Sequence, residues 1–338
     1  MMGRSRVGAT LAIAAALGVA GCGSWRVRPP PPPPPPQKIT MVRARVPRAG
    51  ELPGLIGRMQ RHRVATRETL LDVARDADLG FRAVRDANPS VDEWVPPPAT
   101  DVVVPTRWIL PRSRYRGLVV NVAEMRLYVF PTDAKPGEEV PLLTWPVGIG
   151  VEEAPSPQGP FTVRSKDANP TWIVPTDILR TMDKPEPIVR PGPDNPLGAY
   201  RIRLSKGLYS IHGTNDPWSI GRLTTHGCIR LYPEDIEALY PLVRPGMPGE
   251  LVYQPVKFGE DGGRVYAEVH EDVYKRIPDL ERHAFVEVKR AKLAARVDPE
   301  LLRAAVRART GIPVDVTRAA TRRAAAPSGN DEPRVAQR

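Results

Sequence analysis

"IHGTNDPWSIGRLTTHGCIRL", residues 211–231, gathers more chemically capable side chains than any other stretch of this 338-residue chain. It holds two of the five histidines, His212 and His226, and the second of the two cysteines, Cys228, among Gly213, Gly221 and Gly227. A thiol nucleophile needs a base within hydrogen-bond reach, a group that orients the base, and donors for a developing oxyanion. His226 is an awkward base for Cys228, because residues two apart on a strand share a face but diverge. His212, arriving on a neighbouring strand, can sit directly opposite the thiol. Gly213 and Gly227 permit close backbone approach or positive φ, as an amide-lined pocket requires. His212, His226 and Cys228 could also bind a metal, but no CxxC or HExxH partner supplies further ligands. Spacing and glycine placement favour a Cys-His hydrolase or transferase; a buried thiol amid satisfied histidines stays open on chemistry alone.

Around this stretch, residues 115–256 read as strands. "RGLVVNVAEMRLYVF" (116–130) shows two apolar runs that bend at Ala123-Glu124 as a hairpin would. "LLTWPVGIG" (142–150), "GPFTVRSK" (159–166), "SIHG" (210–213) and "ELVYQPV" (250–256) add further strands, and "PEDIEALYPLV" (233–243) is the one clear helix, with Pro233 at its start. The expected fold is mainly β, a compact sandwich-like domain.

The flanks differ in character. Arg4 and Arg6 precede the apolar "VGATLAIAAALGVAG", an export signal too short and too rich in small residues for a lasting transmembrane helix. "VAGC" (19–22) resembles the lipobox of bacterial lipoproteins, which implies a signal over 1–21 and lipid on Cys22. Cys228 would then be the one remaining thiol, with no disulfide partner. Eight consecutive prolines, Pro29 to Pro36, form a polyproline II rod roughly 25 Å long at about 3.1 Å per residue, within a tether expected over 22–58.

Residues 59–110 order as strand, helix, helix, strand, with Thr69 as an N-cap and Pro89 closing the second helix. The order and the landmarks "ANP" and "VPT" resemble a LysM module, which implies glycan binding, although Arg67-Glu68 replaces the usual Gly-Asp. A helical accessory region is expected over 257–312, with Asp298 capping a helix that opens on Pro299 and closes before Gly311, followed by a disordered tail over 313–338. The net charge is +11, and eight arginines against three acidic residues concentrate it in 301–338. With no aromatic-basic interleaving, nucleic acid is not an expected partner; anionic lipid or an acidic polymer is.

The central stretch resembles the signature of the L,D-transpeptidases (YkuD type): a histidine, a spacer, then Ser/Thr-His-Gly-Cys, here His212, Gly213 to Thr224, and Thr225-His226-Gly227-Cys228. "VGIG", "SPQGPFTV", "ANPTW", "DNPLGAYRIRLS" and "PEDIEALY" continue the likeness in order. The resemblance implies that Cys228 is the nucleophile, His212 its base, and the Gly213 carbonyl the group orienting that base. It implies oxyanion amides around His226 and Gly227, and substrate contacts from Arg230, Thr225, Trp172 and Tyr200. Ser156, where the family more often has threonine, is expected to touch nothing catalytic. No metal or other cofactor is implied. The implied partners are peptidoglycan stem peptides and glycan strands, a membrane through Cys22, and wall-anchored lipoproteins as acceptors. The implied location is the periplasm, on the outer membrane in preference to the inner.

Overall fold

The computed structural model describes residues 38, 40–180 and 185–319. The export segment, Cys22, the proline run and the arginine-rich residues from 320 onward lie outside the described residues. Among the described residues, no helix is long and apolar enough to cross a membrane.

The fold is mainly β. Nine strands make the principal sheet, in the spatial order Met41–Arg45, Glu139–Pro146, Arg126–Phe130, Gly117–Asn121, Pro248–Val252, Gly159–Ala168, Tyr200–Leu204, Ser210–His212 and Ile229–Arg230. Gly117–Asn121 and Arg126–Phe130 form the expected hairpin and are buried at every position. Their unbroken apolar runs are what a strand covered on both faces requires. The long strand Gly159–Ala168 pairs first with Pro248–Val252 and then with Tyr200–Leu204, with a register shift between Val163 and Ser165. Such a bulge bends the strand and increases its twist. The site-bearing strands thereby turn back, so that Ile202, Ile211 and Ile229 share one core with Leu118, Val120 and Leu251.

The other face of the sheet is covered by residues 60–104. Strand Gln60–Arg63, helix Leu70–Asp76, helix Phe81–Ala87 and strand Asp101–Val104 follow in that order, the two strands pairing antiparallel. Leu70, Val73, Leu79 and Val84 pack against Val119, Tyr128 and Phe130 of the sheet. Thr69 caps the first helix with a full capping box to Asp72, the arrangement its spacing suggests. Asn88 closes the second, donating to Val84 O (2.7 Å) and Val103 O (2.8 Å).

Three boundaries differ from the sequence reading. The tether placed over 22–58 contributes two strands: Met41–Arg45 is the sheet's edge strand, and Leu55–Gly57 pairs with Arg107–Ile109. Ala44, Val46 and Ile56 are buried there, an alternation that the nearby prolines overshadow. The accessory region is not purely helical, since Val256–Asp261 and Arg264–Val269 form a hairpin beneath helices Leu280–Arg290 and Pro299–Ala308. The final tail begins ordered, because Val314–Asp315 joins that hairpin as a third strand.

A buried ion group joins these parts. The Lys257 ammonium lies 2.7 Å from Glu124 and 2.7 Å from Glu268 and donates to Ile109 O at 2.6 Å, so all three of its protons are used. Glu124, Glu268 and His270 are also the one set of three possible metal-ligand residues gathered among the described residues. Lys257 sits among them, its one positive charge shared between the two carboxylates.

The 60–104 unit docks beside the spacer that separates His212 from Cys228. Phe81 N–H donates to Ile220 O (3.2 Å), Tyr232 OH to Leu79 O (3.0 Å), and Arg75 pairs with Glu234 at 2.9 Å. The Gly80 and Gly221 backbones approach so closely that a Cβ on either would overlap the other. Asp78 and Asp235 face each other across this junction, both 3 % exposed. Burial raises both carboxyls, Asp235 well above its usual range, where the Asp78 and Glu234 charges add to the effect and Lys38 opposes it. A raised folded-state carboxyl stabilises the fold at low pH, and that contribution fades as pH climbs through its folded pKa. Asp235→Asn removes the Asp235 share of this dependence. Calorimetry from about pH 4 to about pH 8 should show the wild-type melting temperature falling relative to that of the variant as pH rises.

Candidate active site

The strand Ser210–His212 pairs parallel with Ile229–Arg230, setting Ile211 opposite Ile229 and His212 opposite Arg230. One step back, Ser210 falls opposite Cys228. The sequence reading set His212 directly against the thiol; in the structure Sγ instead has Ser210 Oγ at 3.6 Å, and no hydrogen bond joins Sγ to His212 among the described residues. His212 still shares the working face, since residues 210 and 212 point the same way along a strand.

His212 is buried, and its Nδ1 lies 2.7 Å from Gly213 O. A carbonyl only accepts, so Nδ1 carries the proton and Nε2 keeps its lone pair. Burial, then the nearby Arg230 charge, push the His212 pKa down to about 3 despite the opposing pull of the Gly213 carbonyl. The ring is therefore neutral and able to accept a proton at any physiological pH. The contact with Gly213 O fixes the tautomer of the ring.

The thiol loop is held from within and from both sides. Thr225 Oγ1 donates to Cys228 O (2.7 Å) and accepts from Gly227 N–H (3.2 Å). Its hydroxyl is thus engaged inside the turn, which corrects the expectation that it meets substrate. Val151 N–H donates to Thr225 O at 2.8 Å, and Gly148 exchanges two backbone hydrogen bonds with Arg230. Gly227 has φ +97°, and a Cβ there would overlap the Tyr209 ring and come within 3.2 Å of Pro155 O.

Ser156 is closer to the chemistry than expected. Gly150 N–H donates to Ser156 Oγ (3.0 Å), Ser156 N–H to Tyr274 OH (3.0 Å), and Tyr274 OH to Gly150 O (2.9 Å). Gly150 packs on the Gly227 backbone. A tyrosine from beyond residue 256 therefore helps shape the turn that carries Cys228. Nothing local marks Tyr274, Tyr209 or Ser210; the 18-residue offset of the two strands is the one signal that pairs Ser210 with Cys228.

The remaining candidates separate. Arg230 is largely buried beside Cys228, its Nε has no partner, and no described carboxylate forms an ion pair with it. Burial lowers its pKa, with Asp216 and Cys228 opposing. His226 is exposed and makes no side-chain hydrogen bond among the described residues. Tyr200 packs at a tilt on Tyr240 (4.5 Å between centroids, 35° between planes) against the core, so packing claims its ring. Trp172 is half-buried in the short ribbon that pairs it with Val189. That ribbon is tied through Pro170 O to Asn195, whose loop packs through Gly198 on Gly213.

Gly227→Ala should cost about 2 kcal/mol or more of stability, from the positive φ and the lost space, read as a lowered denaturation midpoint, with turnover falling as well. By ¹⁵N NMR, His212 should remain a neutral Nδ1–H imidazole down to about pH 4. Arg230→Gln, by removing a charge that opposes the imidazolium, should move that titration upward.

Known proteins share this arrangement of sequence. The family model of the L,D-transpeptidase catalytic domain (YkuD) matches residues 115–256. The probable L,D-transpeptidase YcfS of Escherichia coli is 36% identical over 260 residues, covering 73% of this chain and 79% of its own. The probable L,D-transpeptidase YbiS of the same species is 35% identical over 254 residues, covering 71% and 81%. Among solved structures, the NMR structure of the catalytic domain of the Enterococcus faecium L,D-transpeptidase superposes with TM-score 0.32 at 20% identity, over 42% of this chain and 99% of that one. On the family match and the extent of the E. coli likenesses, this chain belongs to the L,D-transpeptidase family of cysteine acyltransferases.

Proposed function

We propose that the chain acts on peptidoglycan tetrapeptide stems through an acyl-enzyme on Cys228. The observation that carries this reading is the neutral His212 ring, locked by Gly213 O with Nε2 unprotonated, on the same strand face as the residue that meets the thiol. Cys228 attacks the carbonyl between the L-centre of the stem's diamino acid and the terminal D-alanine. The Sγ proton passes to Nε2 as the S–C bond forms. The C–N bond then breaks, Nε2 returns the proton to the departing D-alanine, and a thioester remains.

An acceptor amine attacks the thioester in the second half. The amine of another stem yields a 3-3 cross-link, and a lipoprotein amine attaches that protein to the wall. Backbone amides around His226, Gly227 and Cys228 hold the oxyanion in this scheme. The positive φ of Gly227 supports it by turning the backbone in a way other residues strain to follow. Arg230, half-buried and without an ion-paired carboxylate among the described residues, is suited to a substrate carboxylate by charge-assisted hydrogen bonding. The lowered imidazolium pKa keeps Nε2 unprotonated at rest, and so free to accept the thiol proton.

Around this centre, Cys22 is the lipid attachment point, the proline run is a spacer, and residues 59–110 are a LysM-like module for glycan strands. In this reading the enzyme works in the periplasm, held at the outer membrane and facing the wall.

The test is incubation of the purified chain with disaccharide-tetrapeptide and mass analysis of the products. A cross-linked dimer with release of D-alanine is expected, and Cys228→Ala should abolish it. Tripeptide alone, formed through the same Cys228, would mark a carboxypeptidase instead. Product that survives Cys228→Ala would refute the cysteine mechanism.

A further inference from the structure

We propose that Ser210 is a further catalytic residue, its hydroxyl being the hydrogen-bond donor that supports negative charge on Cys228 Sγ whenever the thiolate exists. The proposal rests on the reading of Cys228 as nucleophile. Its geometric basis is the parallel register, which sets residue 210 against residue 228, and the 3.6 Å between Oγ and Sγ, within the range of an O–H···S contact.

Ser210 is 4 % exposed, within a sheet whose neighbouring position is the fully buried Ile211. A buried hydroxyl without a good partner is costly, and in a β-core an apolar side chain would serve packing better. Among the described residues the one side-chain partner of this hydroxyl is the sulfur. A neutral thiol is a weak acceptor, so little is gained at rest. A thiolate turns the same contact into a charge-assisted bond, which is a gain specific to the ionised state.

The surroundings need such a donor. His212 is buried, anchored through Nδ1 to Gly213 O, and next to Arg230, so a thiolate-imidazolium pair is not formed in advance. The charge on sulfur appears only as the proton leaves. Ser210 and Arg230 are then the groups beside it, one by hydrogen bond and one by charge. On acylation, the S–H proton goes to His212 Nε2, the S–C bond forms, and the carbonyl π pair moves to oxygen. Collapse breaks the C–N bond and Nε2 protonates the leaving amine. In the second half-reaction the incoming amine bonds to carbon and gives its proton to Nε2. The S–C bond then breaks, and Sγ departs as a thiolate, again facing the Ser210 O–H. The one hydroxyl thus assists the nucleophile and the leaving group.

The experiment compares the full chain with Ser210→Ala, Ser210→Thr and Ser210→Gly by the pH dependence of Cys228 alkylation with iodoacetamide and by turnover of disaccharide-tetrapeptide, at temperatures below each variant's melting transition. Ser210→Ala, and Ser210→Gly should the alanine chain fold poorly, are expected to raise the midpoint of the alkylation profile by about one pH unit. They should also lower kcat about tenfold while KM stays within about twofold. Ser210→Thr, which keeps an O–H, should restore both toward wild type. A profile and kcat unchanged in Ser210→Ala, or a Ser210→Thr chain shifted as far as Ser210→Ala, overturns the role of the hydroxyl. Cys228→Ser separates the two readings: turnover that survives it overturns Cys228 as nucleophile, whereas its loss beside an unaffected Ser210→Ala overturns the role of Ser210 alone.

Discussion

The parallel pairing of two very short strands, Ser210–His212 and Ile229–Arg230, is the constraint on which the candidate site depends. Parallel neighbours cannot be joined by a tight turn, so the chain between them makes a long excursion and returns through Gly227 in a left-handed conformation. The return is clamped at Thr225 and Arg230 by the backbone of Gly148 to Val151. A slip of one residue would turn every side chain of the returning strand to the other face, taking Cys228 from Ser210 and Arg230 from His212. The register is protected by Ile211 and Ile229, both fully buried in the core on the opposite face.

Burial and charge act together on His212. Removing the ring from water disfavours imidazolium, and Arg230 adds repulsion, while the Gly213 carbonyl offers only partial compensation. The result is an orienting group without a formal charge. A buried carboxylate in that place would have pulled the imidazole pKa upward and favoured an ion pair before substrate arrives. A carbonyl fixes the tautomer equally well yet leaves the ring neutral.

The regions flanking the catalytic domain are structurally continuous with it. The sheet is buried on both faces because residues 60–104 cover one of them, and their second helix meets the spacer at Ile220 and Gly221. On the other flank, Lys257 ties Glu124 of the central hairpin to Glu268 of the C-terminal hairpin. Breaking one partner of such a buried group leaves an uncompensated charge, which is more costly than the group is stabilising. Tyr274 extends the same coupling to the loop packed on Gly227. The geometry at Cys228 therefore draws on all three regions.

The stretch 211–231 was informative on its own because its chemistry is local. Cysteine, two histidines and glycines at 213 and 227 mark candidates for a nucleophile, a base and close-approach backbone whatever surrounds them. The hairpin at 117–130, the helix from Pro233 and the caps at Thr69 and Asp298 were equally legible, since periodicity and capping act within a few residues. What depended on distant pairing was not legible. The strand at 41–45 takes its place from Glu139–Pro146, Thr225 is drawn into the turn by the return of Cys228, and Tyr274 reaches Gly150 across more than a hundred residues. Above all, which side chain on the histidine strand faces the sulfur is a matter of register. Register is set by how two strands bury their apolar residues in a common core, so spacing and the family resemblance singled out Cys228 and His212 as candidates, and only the folded sheet set Ser210 against the sulfur.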